Sequence, residues 1–141
     1  MLVAPDRQFT GSVSGGCIEG EVIANALEVM AEGQPRLLRF EVANDRAWEV
    51  GLSCGGTIAV WIEPLDARHP LAQAASAPRP REGCWRLVSL HSGDSWLLDA
   101  GSMDVLAALP ASLADALPDC LARGVGARFD EGYFLQHYPL P

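Results

Sequence analysis

In the first half of the chain, some segments space their apolar residues as an amphipathic helix does, and others alternate them as a strand does. Apolar residues recur at helical spacing through Ile18, Val22, Ile23, Ala26, Leu27 and Met30, and this predicts an amphipathic helix. Gly33 is expected to end that helix. Strands are predicted at Phe9–Val13, at Arg36–Val42, where apolar and charged residues alternate, and at Thr57–Glu63, which is rich in β-branched and aromatic residues.

The second half of the chain carries the signals of a hairpin, of interrupted helices and of a last strand. Cys84–Leu90 and Ser95–Asp99 flank a short polar turn, as in a β-hairpin. Leucines at helical spacing then predict two helical pieces, broken by Pro110 and Pro118. A final strand is predicted at Gly132–Tyr138.

These elements predict an α/β (α+β) fold, in which helices pack on a mixed sheet and a Gly-Gly-Cys turn joins a strand to the first helix. We expect residues 1–65 to form an α/β unit that bears the sequence motifs. Residues 66–83, rich in Ala, Pro and Arg, are expected to be a connector. Residues 84–141 are expected to complete the same domain.

Composition excludes several classes of function. The net charge is −8 and the ten Lys and Arg residues are scattered, so nucleic acid is not expected as a partner. No apolar run approaches the roughly 20 residues that span a bilayer, so no membrane contact is expected. The four cysteines form no Cys-x-x-Cys pair, which argues against structural zinc. The N-terminus shows no export signal, so we expect reduced thiols and a cytoplasmic location.

Two short segments each set a cysteine beside a glycine pair. They read Gly11-Ser-Val-Ser-Gly-Gly-Cys17-Ile-Glu19 and Gly51-Leu-Ser-Cys54-Gly-Gly56, and we call them the first and second motifs. Glycine pairs let the backbone turn sharply and expose its N–H groups, while a cysteine supplies a soft sulfur ligand. The simpler interpretation is that each motif is only a tight connection holding an inert cysteine.

The two motifs differ in the chemistry they predict. A helix that begins near Cys17 would offer its first N–H groups to an anion and favour the thiolate of that cysteine. This suits a phosphate-bearing cofactor or a metal oxyanion. Cys54 gains no helix dipole, and its motif would line the same pocket only if the fold brings the two motifs together. Glu19 could orient the helix cap or act in acid–base chemistry, but we interpret it as a solvated helix charge.

Both motifs, the helix after the first and the strand after the second resemble the XdhC/CoxI family over residues 1 to about 65. Members of that family are accessory factors for molybdenum hydroxylases such as xanthine dehydrogenase and carbon monoxide dehydrogenase. The resemblance implies a non-enzymatic chaperone that binds molybdenum cofactor (molybdopterin) transiently and assists its sulfuration and insertion. It also implies molybdenum–sulfur contacts by Cys17 and Cys54. The implied cofactor-binding set is Ser12, Ser14, Gly15, Gly16, Cys17, Glu19, Ser53, Cys54, Gly55 and Gly56.

The resemblance also predicts partners. These are a molybdenum hydroxylase apoenzyme and a cysteine desulfurase. We expect the family's Rossmann-like C-terminal domain to be absent, which would make the chain a natural single-domain member or a fragment. The segment before the first motif is short, and a strand supplied by a second copy would make a strand-exchanged homodimer.

Two other functions stay open at this point. Cys17 could carry a persulfide in a cysteine-based sulfurtransferase, or act in a redox enzyme. Alternatively, the chain could be a structural or regulatory remnant of a longer XdhC-like protein.

Overall fold

The computed structural model of the protein describes residues 1–16, 18–42, 56–76, 84–98, 105 and 107–138. Within these residues, the elements in chain order are β1 (Leu2–Val3), β2 (Phe9–Thr10), α1 (Glu19–Glu32), β3 (Arg36–Val42), β4 (Gly56–Ile62), α2 (Pro70–Ser76), β5 (Cys84–Ser89), β6 (Ser95–Leu98), α3 (Ala111–Arg123), β7 (Ala127–Phe129) and β8 (Tyr133–Tyr138). The chain divides into two compact units, Met1–Pro64 and Leu65–Pro141.

The α/β (α+β) class predicted from the sequence is confirmed. In the part of the chain that the structure describes, the strands expected to lie in one mixed sheet are distributed among three sheets, with the orders β1-β2, β3-β4 and β6-β5-β8-β7. Every strand pairing among the described residues is antiparallel. Within the same residues, no helix combines the length and apolar composition that crossing a bilayer requires. The predicted homodimer and the predicted domain boundaries stay predictions.

The first unit is built from α1 packed on one face of the β3–β4 hairpin. The register pairs Leu38 with Val60 and Phe40 with Ile58, so these four side chains share a face. That face packs against a buried cluster supplied mainly by α1: Ile18, Val22, Ala26, Val29 and Ile62. The helical period seen in the sequence therefore matches the buried stripe of α1.

The end of α1 and the start of β3 are joined by a turn and by ion pairs. Gly33 takes the left-handed conformation, with φ of 69°, and its N–H donates to the Val29 carbonyl, which ends the helix as predicted. Arg36 Nη1 then lies 2.6 Å from Glu28 Oε2, and its Nη2 lies 3.1 Å from Glu32 Oε2. The first residue of β3 is thus tied to the last turns of α1.

The second unit is a four-stranded sheet with α3 on one face. Leu87 of β5 lies opposite Leu135 of β8, and both are fully buried. They share a core with Leu98 and with Leu113 and Leu117 from α3. The predicted hairpin is β5–β6, whereas β7, which pairs with β8, was not predicted from the sequence.

The opposite side of β5 carries a buried cation near the start of α2. Arg86 is 3% exposed, and its Nη2 lies 3.2 Å from His69 Nε2. The other ring nitrogen of His69, Nδ1, accepts the Leu71 N–H at 3.2 Å and caps the first turn of α2. His69 therefore links the start of α2 to this strand. A short helix in the predicted connector is thus part of the second unit.

Helix α3 contradicts the predicted break at Pro118. The helix runs without interruption from Ala111 to Arg123 and contains Pro118, while Pro110 sits at its N-cap. Pro118 lies on the exposed side, next to the fully buried Leu117. Because the carbonyl that loses its N–H partner there can be hydrated, burial of the leucine face holds the helix together across the proline.

Replacement by alanine is expected to have opposite effects at Gly20, inside α1, and at Gly33, which follows its last residue. A Cβ added at Gly20 meets no atom within 4 Å, and Gly20 has no positive φ. We expect Gly20→Ala to stabilise the first unit by about 0.5 kcal/mol through reduced freedom of the unfolded chain. Gly33→Ala should destabilise it by about 1 kcal/mol because alanine is strained at positive φ. Urea unfolding measures both, and equal effects of one sign would contradict this account of α1.

Replacing the proline inside α3 should stabilise the second unit. Pro118→Ala restores one backbone hydrogen bond and removes a steric clash, so a gain of about 1 kcal/mol or more is expected. Pro110→Ala is the matched control, because Pro110 lies at the N-cap and its replacement restores no helical bond. Urea unfolding that ranks Pro118→Ala at or below the control would contradict a continuous α3.

Candidate functional site

The structure describes the first motif almost completely and the second hardly at all. Five residues of the candidate site in the first motif are described: Ser12, Ser14, Gly15, Gly16 and Glu19. Gly56 is described as the first residue of β4, opposite Val42. Cys17, Ser53, Cys54 and Gly55 lie outside the described residues. A pocket shared by the two motifs therefore stays a prediction.

The first motif is a loop held between two apolar anchors. Val13 packs against the core of the first unit, and Ile18 is buried in it with 8% exposure. Between them, Gly15 and Gly16 are exposed and have φ of 84° and 130°, which side chains rarely tolerate. The strand predicted at Phe9–Val13 ends at Thr10, so the remaining residues are free to form this loop.

The loop closes around the carboxylate of Glu19, the first residue of α1. Oxygen Oε1 accepts the N–H groups of Val13 at 3.2 Å, Ser14 at 3.0 Å and Gly15 at 3.1 Å. Oxygen Oε2 accepts the N–H of Gly16 at 2.9 Å. Four consecutive amides therefore point at one side chain, an arrangement that binds anions well.

Two serine hydroxyls complete the shell around the carboxylate. The Ser12 hydroxyl donates to Glu19 Oε1 at 2.7 Å, and the Ser14 hydroxyl donates to Oε2 at 2.9 Å. Each hydroxyl also accepts a backbone N–H, Ser12 from Gly15 at 2.9 Å and Ser14 from Ile18 at 3.4 Å. Both serines thus connect the loop backbone to the carboxylate. We refer to residues 12–16 together with Glu19 as the Glu19 loop.

These contacts stabilise the ionised form of Glu19. The hydrogen bond from the Ser12 hydroxyl contributes most, followed by the Ser14 amide, and together they hold the pKa of the Glu19 carboxyl well below its ordinary value. Burial acts in the opposite direction, since Glu19 is only 8% exposed, but it does not prevail. The positive end of α1 adds to the same preference for a negative charge.

The interpretation of Glu19 as a solvated helix charge is wrong, because its carboxylate binds residues 12–16 of the preceding loop. Periodicity could not distinguish a solvated carboxylate from one that binds the preceding loop, because an acidic residue in the first turn of a helix is common in either case. The available signal was the pair of serines at Ser12 and Ser14 on the preceding turn. Their hydroxyls, like the glycine amides, are donors that need an acceptor.

Because the loop amides already donate to Glu19, the first motif has fewer hydrogen-bond donors left for a ligand. The amides of Gly15 and Gly16, expected to meet a phosphate or an oxyanion, donate to Glu19 instead. An external anion would have to compete with a carboxylate that is already in place. Among the described side chains, no three His, Cys, Asp or Glu residues are grouped so as to hold a metal ion. Cys84 and Cys120, both half-buried, are free thiols of the second unit.

The depressed pKa of Glu19 predicts a pH-dependent contribution to stability. The charged form is favoured in the folded state, so the contribution is present above the ordinary carboxyl pKa and is lost as the pH falls below it. We expect Glu19→Gln to lower the melting temperature by about 5 °C or more at pH 7. The difference from the original protein should shrink below about pH 4.

Glu21→Gln is the control, because Glu21 is exposed in the same first turn of α1 and shares the helix-dipole effect. Thermal melts recorded from below about pH 4 to pH 7 separate the stability due to the loop contacts from the stability due to the helix dipole. Equal losses in the two variants at neutral pH would contradict the role given to the Glu19 loop.

Comparisons with known proteins show that the segment holding the first motif is similar to a known family. Residues 1–41 match the XdhC and CoxI family, a segment that includes the Glu19 loop and α1. The chain is 36% identical over 72 residues to the molybdenum cofactor insertion chaperone PaoD of Escherichia coli (strain K12), which covers 50% of this chain and 22% of PaoD. It is 39% identical over 62 residues to the uncharacterized protein YqeB of the same organism, covering 44% of this chain and 12% of YqeB.

The matched part of the chain thus spans less than a quarter of each of these two relatives. No solved structure matches the chain. Because the family match ends at residue 41, the second motif lies beyond it. The resemblance to the XdhC and CoxI family that the sequence predicted is confirmed for residues 1–41, the part of the chain that carries the Glu19 loop.

Proposed function

We propose that the protein binds molybdenum cofactor as an accessory chaperone. In this role it holds the cofactor while the sulfido ligand is installed, and assists insertion into a hydroxylase of the xanthine dehydrogenase or carbon monoxide dehydrogenase type. The cofactor is cargo, and the chain itself catalyses no reaction on it. The partners would be the hydroxylase apoenzyme and a cysteine desulfurase, in the cytoplasm, with the protein as a homodimer.

One observation carries the proposal. Half of the chain is 36% identical to a molybdenum cofactor insertion chaperone, and the family match falls on the segment with the first motif. The structure adds that this motif is a shaped loop, since a network of hydrogen bonds fixes Val13–Gly16 around Glu19. Binding sites are commonly placed on loops that a rigid scaffold holds in position.

In the first motif, a sulfur ligand to molybdenum suits the cofactor better than hydrogen bonds from the loop amides. All four loop amides and both serine hydroxyls are engaged with Glu19, so the described donors favour no additional anion. A thiolate at Cys17, the next residue in the chain, would suit a molybdenum–sulfur centre, and Cys54 would be its counterpart in the second motif. Ser53, Gly55 and Gly56 would form the turn of the second motif around Cys54.

The proposal predicts that removal of either motif cysteine abolishes cofactor retention. The purified protein is mixed anaerobically with molybdenum cofactor released from a molybdoenzyme and then desalted. Molybdenum is measured by mass spectrometry and pterin by the fluorescence of its oxidised form. We expect Cys17→Ala and Cys54→Ala to retain at least about tenfold less than the original protein, since even outer-shell changes cost that much.

Cys84→Ala is the matched control, because Cys84 is a free, half-buried thiol at the start of β5 in the second unit. It should retain as much cofactor as the original protein. Failure of the original protein to retain molybdenum and pterin would contradict the proposal. A persulfide on Cys17, detected by mass spectrometry in place of bound cofactor, would instead favour a sulfurtransferase.

A further inference from the structure

We propose that Glu19 is the positioning residue of the cofactor site, because it sets the shape of residues 12–16, the loop that precedes Cys17 in the chain. This inference rests on the proposed function and assigns a role within that same site. Glu19 itself is not proposed to touch the cofactor. It acts through the loop that it organises.

The first step of the argument is that one side chain accounts for the conformation of the whole loop. Four consecutive amides, from Val13 to Gly16, cannot all point inward unless a single acceptor lies among them. Glu19 supplies that acceptor from the first turn of α1. Its backbone is held in turn by the buried stripe of the helix, including Ile18 before it and Val22 after it.

The second step concerns the two neighbours of Cys17 in the chain. On one side, the Gly16 amide donates to Glu19 Oε2 at 2.9 Å. On the other side, the Ile18 amide donates to the Ser14 hydroxyl at 3.4 Å, and that hydroxyl donates to the same carboxylate oxygen. The network centred on Glu19 therefore holds both Gly16 and Ile18 in position. A loop that is already ordered before a ligand arrives lowers the cost of binding.

The third step is that the loop is open on its outside at its two glycines. Gly15 and Gly16 are exposed, and a Cβ built on either would meet no atom of the described residues within 4 Å. Glu19, which supplies the organising carboxylate, is itself buried with 8% exposure. The loop thus combines a buried organising charge with an exposed pair of glycines.

The test uses Glu19→Ala and rescue by acetate. The substitution removes two carbons and two oxygens, the same heavy atoms that make up acetate. We expect Glu19→Ala to retain at least about tenfold less molybdenum and pterin than the original protein, as outer-shell changes do. Excess sodium acetate should restore a large part of that loss, whereas sodium chloride at equal ionic strength should not. Circular dichroism confirms that every sample is folded at the temperature used.

Val29→Ala is the control for lost stability. Val29 is a core residue of α1 with 1% exposure, and its truncation destabilises the same helix without touching the Glu19 loop. It should retain cofactor like the original protein. Retention by Glu19→Ala equal to that of the original protein would overturn the inference. So would a loss in Val29→Ala as large as that in Glu19→Ala.

A second readout separates failure of this inference from failure of the proposed function. The rate at which iodoacetamide alkylates Cys17 is measured without cofactor in Glu19→Gln, Glu21→Gln and the original protein. We expect a several-fold faster rate in Glu19→Gln alone, because residues 12–16, which precede Cys17 in the chain, lose the acceptor that holds them. If the original protein retains no cofactor, the proposed function fails and this rate alone decides the inference. An unchanged rate in Glu19→Gln overturns it.

Discussion

A single buried carboxylate organises the part of the chain from which we infer a function. Glu19 accepts hydrogen bonds from four consecutive amides and two hydroxyls, and these contacts give residues 12–16 their shape. Without an anion at their centre, the amides would direct their positive ends at one another at a cost in free energy. Because Glu19 opens α1, the loop is attached to the core of the first unit through a helix.

The consequence for ligand binding is that the loop is organised in the absence of any ligand. A glycine-rich turn at the start of a helix is usually interpreted as a place for phosphate. Here a side chain of the protein fills that place, and its charge is stabilised by the donors that a phosphate would use. The chemistry left to the motif is that of sulfur, which agrees with the presence of a cysteine in each motif.

Much of the fold could be predicted from local patterns, because each predicted element buries one face. The apolar period of α1, its end at Gly33 and the strand Arg36–Val42 are all present. The division of the strands into three antiparallel sheets could not be predicted, because pairing depends on contacts distant in sequence. The predicted break at Pro118 failed for a related reason, since tertiary burial of Leu113 and Leu117 outweighs the local penalty of the proline.

The candidate site could also be predicted only in part from local sequence patterns. The sequence identified the loop residues Ser12, Ser14, Gly15 and Gly16 correctly as donors, but not the acceptor that they share. A carboxylate in the first turn of a helix has the same local pattern whether it points to water or back into the preceding loop. In the structure the two ends of the loop pack in the core through Val13 and Ile18, and the Glu19 carboxylate faces the loop between them.

Hydrogen exchange at the amides of Val13, Ser14, Gly15 and Gly16, followed by NMR at neutral pH, tests this account most directly. The Glu19 loop predicts that all four exchange much more slowly than the same amides in an unstructured peptide, although Gly15 and Gly16 are exposed residues. Exchange at the rates of an unstructured peptide would show that the carboxylate does not hold the loop, and would contradict the account.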